Sequence, residues 1–286
     1  NIIEATIIII SPICIILFRT LNIYSIKNTW KRHIIGINVF EIEKYPNKFP
    51  LLIKFLDVND RLSIQVHPSD EVAMKKHNEF GKSESWYIVY ASDDATLILG
   101  TKPGVTKEKF LEKVKNNDFS DLFEERSVKT GDFIDITPGT VHASLKGSVI
   151  FAEIQQSSDV TYRIYDFDRI DKDGKKRELH LDNAADVIDF EKKVEIKNTN
   201  FQNGENKKNI IKNEFYSIDK IKILNSYEDF CSESMIIYTV LDGNGKVFWN
   251  ENEFLELKKG ENILIPVDLK VRLEGNFEIL RTTIEE

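Results

Sequence analysis

Four side chains in this chain of 286 residues could share one cation. In "LSIQVHPSD", Leu62 to Asp70, apolar and polar residues alternate until Pro68. Gln65 and His67 are two apart, so on a strand both project from one face. His142 follows the turn "TPGT", and Glu84 lies in "GKSESWY" at the entry to another strand. Two imidazoles, a carboxylate and an amide oxygen make a mixed nitrogen and oxygen ligand set suited to a divalent metal. The competing reading of any single histidine here is a hydrogen-bonded structural residue. His33, His77 and His180 have no comparable partners and receive no role. The pattern, Gln-x-His on one strand and Pro-Gly-Thr-x-His before another, favours the metal.

Such a set needs a closed or nearly closed sheet, and the surrounding sequence reads as one. "FPLLIKFLDV" (Phe49 to Val58) and Arg61 to Val66 read as a hairpin about Asn59-Asp60. "SWYIVYA" and "ATLILG" read as a second hairpin about Ser92-Asp93-Asp94. Short strands are expected at Glu124 to Val128, Asp132 to Ile136, Val141 to Ala143 and Ser148 to Gln155, separated by Gly131, Pro138-Gly139 and Gly147. Helices are expected at Asp70 to Asn78, with Ser69 or Asp70 as N-cap, and at Thr106 to Asn117, where Phe110, Leu111 and Val114 share a face. Asp168 to Phe190 is charged and then helical. The fold class is mainly β, a sandwich or barrel with a few short helices.

A weak internal repeat extends the picture. "GDFIDITPGTVHASL" from Gly131 and "GENILIPVDLKVRL" from Gly260 each give a glycine, an acidic residue, an alternating strand, a proline and a further strand. His142 lies four residues after Pro138, and Lys270 lies four after Pro266. Two related β-domains follow, only the first equipped with ligands; chance similarity of Gly/Pro-punctuated strands is the competing reading. The expected division is 1–29 as an atypical or truncated start, 30–196 as the ligand-bearing domain with helical insertions, 197–209 as a polar linker, and 210–286 as a β-domain without a metal site.

Composition narrows the class. The chain is 41% hydrophobic and 30% charged, ordinary for a globular protein. A net charge of −8 argues against nucleic acid as a partner. Cys14 and Cys231 are too few for a disulfide framework and fit a reducing, cytoplasmic setting. The run "TIIIISPICIILF" (Thr6 to Phe18) is too short to span a membrane and lacks a signal peptide's basic flank, so it is read as an edge-pairing strand.

"PLLIKFLDVNDRLSIQVHPSD", "GKSESWYIV", "PGTVHAS" and "EIQQSSDVTYRIYDFDR" together resemble the zinc-dependent type I mannose-6-phosphate isomerases, in their short bacterial form. The match is dense from about Trp30 to Phe190 and looser beyond. The resemblance implies a cupin (jelly-roll barrel) catalytic domain, a degenerate second cupin domain, and one zinc per chain. It implies interconversion of mannose 6-phosphate and fructose 6-phosphate through a cis-enediolate. The family's zinc ligands fall on Gln65, His67, Glu84 and His142, and its active-site arginine falls on Arg163. Lys82 matches a lysine near the metal carboxylate, and Asp159 occupies the family's Ser-Asp position. Arg163 is read as an enediolate or phosphate partner, and Lys82 as a proton carrier if its neighbours depress its pKa. Lys102 in "GTKPG" is a candidate phosphate partner, and the base is not identified. A monomer or homodimer is expected, with no membrane or nucleic-acid partner. The sequence departs from the family at the front, where a "WGG"-containing segment is replaced by the isoleucine-rich run. The alternatives are a non-catalytic sugar-phosphate-binding cupin and another metal-dependent cupin enzyme, such as an iron oxygenase.

Overall fold

The computed structural model describes residues 16–18, 49–170 and 173–285. They divide into two compact units. One is Leu56–Asn198; the other is Thr199–Glu286 together with the described residues up to Phe55. The division differs at the front from the expected one, since the described residues between 30 and 55 fall with the second unit. Trp30, His33 and Cys14 lie outside the described residues, as does most of the isoleucine-rich run. Its last three residues form β1 (Ile16–Phe18), which pairs antiparallel with a later strand at a sheet edge.

The first unit is built on two five-stranded sheets, one edge strand of which, Leu51–Val58, straddles the division at Phe55. The strands are β2 (Leu51–Val58), β3 (Ile64–Val66), β4 (Glu84–Ala91), β5 (Thr96–Thr101), β6 (Phe123–Ser127), β7 (Asp132–Ile136), β8 (His142–Lys146), β9 (Val149–Gln156), β10 (Tyr162–Tyr165) and β11 (Ile196–Asn198). One sheet has the order β10-β3-β8-β5-β6 and the other β11-β7-β4-β9-β2. The two expected hairpins are therefore not hairpins. β2 and β3 lie in different sheets, and so do β4 and β5. Alternation tells which face of a strand is buried, but it does not name the strand's partner. Each pair is one path of chain that bends from one layer to the next.

The second unit makes that path visible. It consists of β12 (Lys207–Lys212), β13 (Tyr216–Asp229), β14 (Ile236–Phe248), β15 (Phe254–Lys258), β16 (Asn262–Ile265) and β17 (Val271–Ile284), with β1 at the edge. Here the counterparts of β2–β3, β4–β5 and β8–β9 run as single strands of 14, 13 and 14 residues. They turn the corner at Asn225, Gly243 and Gly275, all with positive φ. Gly275 lies opposite both Asn225 and Gly245. A Cβ on Gly243 would come within 2.5 Å of the Asn276 carbonyl, so only glycine fits there.

The sequence repeat is present in three dimensions. Gly131 and Gly260 both have positive φ, 89° and 84°. The Asp132 carboxylate accepts the Lys129 N–H at 2.8 Å, and the Glu261 carboxylate accepts the Lys258 N–H at 2.9 Å. The same tight turn thus launches β7 and β16. The expected linker is shorter than read. Residues 197–198 belong to β11 and 207–209 to β12, leaving 199–206 as a connection. Both strands are sheet edges, where polar residues are tolerated.

Three short helices complete the first unit: α1 (Asp70–His77), α2 (Lys107–Lys115) and α3 (Leu181–Val187). Thr106 caps α2 by accepting the Lys109 N–H, while Phe110 and Val114 pack on Ile64, Val66 and the alanines of α3. Ser69 stands at the N-cap of α1 without a side-chain bond. The Asp70 carboxylate is engaged elsewhere, accepting the Gly81 N–H at 2.7 Å. Between the two sheets lies an apolar cluster of Trp86, Leu97, Leu99, Ile134 and Phe151.

Candidate metal centre

Strand pairing alone assembles one row of side chains. Arg163 on β10 is the register partner of Gln65 on β3, which faces His142 on β8, which faces Leu99 on β5. Directly opposed residues share a face of the sheet. Glu84 comes from the other sheet, where it opens β4 between Ile136 and Gln155. The two sheets bring their inner faces together at this point.

The distances are those of a ligand cluster. His142 Nε2 is 3.1 Å from Glu84 Oε1, and His67 Nε2 is 3.5 Å from Glu84 Oε2. Donor atoms of His67, Glu84 and His142 all lie within 4.8 Å of one another. The Gln65 amide stands 3.2 Å from His142 Nε2. Its amide group carries oxygen on one side and nitrogen on the other, so rotation presents either to the cluster. Each histidine spends its other nitrogen on the backbone. His67 Nδ1 pairs with the Val160 carbonyl at 3.0 Å and His142 Nδ1 with the Thr140 carbonyl at 2.9 Å. That fixes the tautomer and leaves both Nε2 lone pairs facing Glu84.

The electrostatics of the cluster call for a cation. His142 and Glu84 are fully buried and His67 nearly so. Both Glu84 carboxylate oxygens lack a hydrogen-bond partner, although Lys82 Nζ stands 2.6 Å from one of them. Burial alone would raise the Glu84 pKa; the Lys82 ammonium and the two imidazoles outweigh it and hold the carboxyl well below its usual range. Burial, reinforced by Lys82, pushes His67 down to about 3, so its ring is neutral and a competent ligand. A buried carboxylate facing two imidazole Nε2 atoms, one of them on the neutral His67 ring, fits a divalent ion of zinc's ligand preference.

Lys82 does not meet the condition attached to it as a base. Burial would lower its pKa, but Glu84 and then Glu153 raise it above the ordinary lysine value. It is an ammonium, 3.2 Å from His67 Nε2. Its loop is clamped from below. The Lys82 N–H donates to the Pro68 carbonyl, and Gln156 bridges the Ser83 N–H and the Asp70 carboxylate. A Cβ on Gly81 would lie 2.5 Å from the backbone at Ser69 and Asp70, so glycine lets the loop close on α1.

The remaining expected residues divide. Arg163 shares the face of Gln65; its Nη1 donates to the Glu178 carbonyl at 2.9 Å, and its buried Nε has no partner. Burial, then the neighbouring Arg177, lowers its pKa without removing its charge. Its strand is held by His180, whose Nδ1 accepts the Arg163 N–H. Asp166 takes Arg169 and Arg177 as partners rather than Arg163. Asp159 is exposed, and its charge acts on Lys82. Lys102 is on the surface in an ion pair with Asp121, and no contact ties it to the cluster. Sequence reading missed Glu153. It is buried on β9 opposite Trp86, whose indole N–H it accepts at 3.1 Å, on the face that also carries Glu84 and Gln155. An acid inside the apolar strand "VIFAEIQQ" was the available signal.

The chain is similar to known proteins over most of its length. The family described as phosphomannose isomerase type I, catalytic domain, matches residues 25–88, and that described as mannose-6-phosphate isomerase, cupin domain, matches residues 206–284. The probable mannose-6-phosphate isomerase GmuF of Bacillus subtilis is 34% identical over 262 residues, 90% of this chain and 80% of that protein. The crystal structure of the mannose 6-phosphate isomerase from Bacillus subtilis superposes with a TM-score of 0.75 at 32% identity, over 82% of this chain and 76% of that one. A mannose 6-phosphate isomerase structure bound with zinc and yttrium shares the fold, with a TM-score of 0.64 at 15% identity, over 92% of this chain and 85% of that one.

Proposed function

The chain belongs to the type I mannose-6-phosphate isomerases, enzymes that interconvert mannose 6-phosphate and fructose 6-phosphate, and from that premise we propose that it does so at one zinc ion held by Gln65, His67, Glu84 and His142. The observation that carries the ligand assignment is the buried Glu84 carboxylate, each of whose oxygens faces an imidazole Nε2, at 3.1 and 3.5 Å. When bound, the ion supplies Lewis-acid stabilisation of negative charge on the oxygens at C1 and C2 of the sugar. That ligand set carries a single negative charge, which leaves the centre net cationic.

The protein's own groups do the rest. Isomerisation moves a proton between C2 and C1, and the developing charge needs donors already in place. Arg163, one strand from Gln65, keeps its charge at any working pH and offers its unpartnered Nε toward that task. Lys82 enters as an ammonium, so its part is to donate or to hold charge, not to abstract. Glu153 is the buried carboxylate on the same inner face beyond the ligand set, and it is the stronger candidate for carrying the proton. Asp159 stands at the rim, near enough to act on Lys82. The surface ion pair of Lys102 gives no support to a phosphate role. Among the described residues no helix is long and apolar enough to cross a membrane.

Metal content measured beside isomerase turnover tests the assignment. His142→Ala is expected to lose bound zinc and at least about a hundredfold in kcat/KM while keeping its fold, since loss of an orienting partner alone costs about 10–100-fold and loss of the ligand itself costs more. Full zinc and an unchanged rate in that variant would show that the site lies elsewhere.

A further inference from the structure

The second unit holds a cavity at the strand ends that correspond to the metal-bearing mouth of the first. The correspondence is one of register. Glu84 faces Ile136, and Ile236 faces Ile265, each pair at the end of the strand launched by the repeated turn. Two residues on, Trp86 pairs with Glu153 and Tyr238 pairs with Arg281. His142 opens β8 and Val271 opens β17, with Lys270 just before it. Where the first unit gathers ligands, the second has a floor made by Asp229. Its carboxylate accepts from Tyr238 Oη and from Arg281 Nε, both at 2.6 Å.

Above that floor lies a cavity of about 590 Å³, within the size range of small-molecule sites. Phe230, Phe248 and Trp249 give it aromatic walls, and Glu228, Glu251 and Lys270 give it polar ones. Phe230 is 44% exposed, with the Lys270 ammonium over its ring at 5.8 Å from the centroid. Trp249 is fixed, its indole N–H donating to Glu253 at 3.0 Å. Phe248 is held between Phe254 and the Arg272 guanidinium. The charges leave one carboxylate in excess. Arg281 neutralises Asp229, and Arg272 is paired with Glu274. That leaves Glu228 and Glu251 against Lys270, with no cationic excess for a phosphate. Fixed aromatic faces beside carboxylates and an ammonium are the chemistry that holds a ring with one apolar face and a rim of hydroxyls.

We infer that the mouth of the second barrel is a binding site for a neutral pyranose, separate from the isomerase centre, with the sugar laid against Trp249 and Phe230. The inference rests on the second unit alone and does not depend on the metal assignment.

Calorimetric titration of the full zinc-loaded chain with the methyl pyranosides of mannose, glucose and galactose tests it. Their blocked anomeric carbon prevents ring opening, so none is an isomerase substrate. At least one is expected to bind saturably in the millimolar range. Phe230→Ala and Trp249→Ala should each weaken that binding about tenfold or more, about 1.4 kcal/mol, with kcat/KM for mannose 6-phosphate unchanged. Phe230 is exposed, so its variant keeps the test open if Trp249→Ala does not fold. No saturable binding of any of the three would overturn the inference. So would binding that both variants leave intact, or binding that mannose 6-phosphate displaces in direct competition.

Discussion

Removing the Lys82 ammonium should tighten zinc binding while impairing turnover. Lys82 Nζ is 2.6 Å from Glu84 Oε2 in a buried setting. At an effective dielectric of about 20, unit charges at that separation attract by about 6 kcal/mol. In Lys82→Met the carboxylate loses this partner, and breaking a buried pair costs about 3–5 kcal/mol. Protonation limits the loss, because Glu84 is then no longer held well below its usual range. In the zinc-loaded protein the ion replaces Lys82 as partner of the carboxylate, so the same substitution costs less there. The difference appears as affinity, two to three orders of magnitude tighter at about 1.4 kcal/mol per decade. Zinc uptake at neutral pH should also release up to one proton that the unsubstituted protein does not release. Competition with a chromogenic chelator gives the affinity. Titration in buffers of different ionisation enthalpy counts the proton, and melting with and without zinc gives the linked stability. An affinity unchanged or weaker, with the same metal-free melting temperature, would refute the electrostatic reasoning.

Two further outcomes follow from the same geometry. Gly81→Ala should lower melting temperature and kcat together, because its Cβ would press within 2.5 Å of the backbone at Ser69 and Asp70, and overpacking costs about 1–3 kcal/mol; a variant with native melting and native rate would show that the loop has room. Acid should destabilise the metal-free protein. Between about 6.5 and 3 the unfolded chain takes up a proton at His67 that the folded chain refuses, so stability falls as pH falls through that window. Glu84, with its folded pKa lowered, acts in the same direction below about 4.5. A melting temperature flat between pH 6.5 and 4, or a His67→Gln variant with the same slope as the parent, would count against it.

The convergence of these four side chains was legible because two of them sit two residues apart on one strand and the others beside recognisable turns. Gln65 and His67 alternate with Ile64 and Val66, and the structure buries the latter pair in the core. Strand positions were also readable: β7 spans the expected Asp132–Ile136, and α2 ends one residue short of the Asn116 C-cap. Partnership was not readable. Asn59-Asp60 looks like a hairpin turn, yet β2 and β3 pair in separate sheets, because a bend between layers uses the same turn residues as a hairpin. Glu153 was missed because its neighbours set it inside an apolar run, where an acid signals a site only once a partner such as Trp86 is known. The role of Lys82 could not be read either, since the sign of its pKa shift depends on Glu153 and Asp159 arriving from another strand.

The two barrels balance buried charge in different ways. In each, buried polar side chains gather at corresponding strand ends. The first barrel sets a carboxylate and two imidazoles there, and the Lys82 ammonium is the counter-charge that the chain itself supplies. The second reaches neutrality within the chain. Ile236 stands where Glu84 stands, and Arg281, in the register position of Glu153, pairs with Asp229 while Tyr238 completes the bonding. The guanidinium is a permanent counter-charge, so the second barrel is complete as folded. Its burial carries the Tyr238 hydroxyl well above its usual pKa, with the Asp229 charge adding to that. An ion held by His67, Glu84 and His142 would add a counter-charge of a kind that the second barrel draws from its own chain. The first barrel's stability and its chemistry are tied to the same ligand, which is why substitutions at Lys82 and Gly81 should move both.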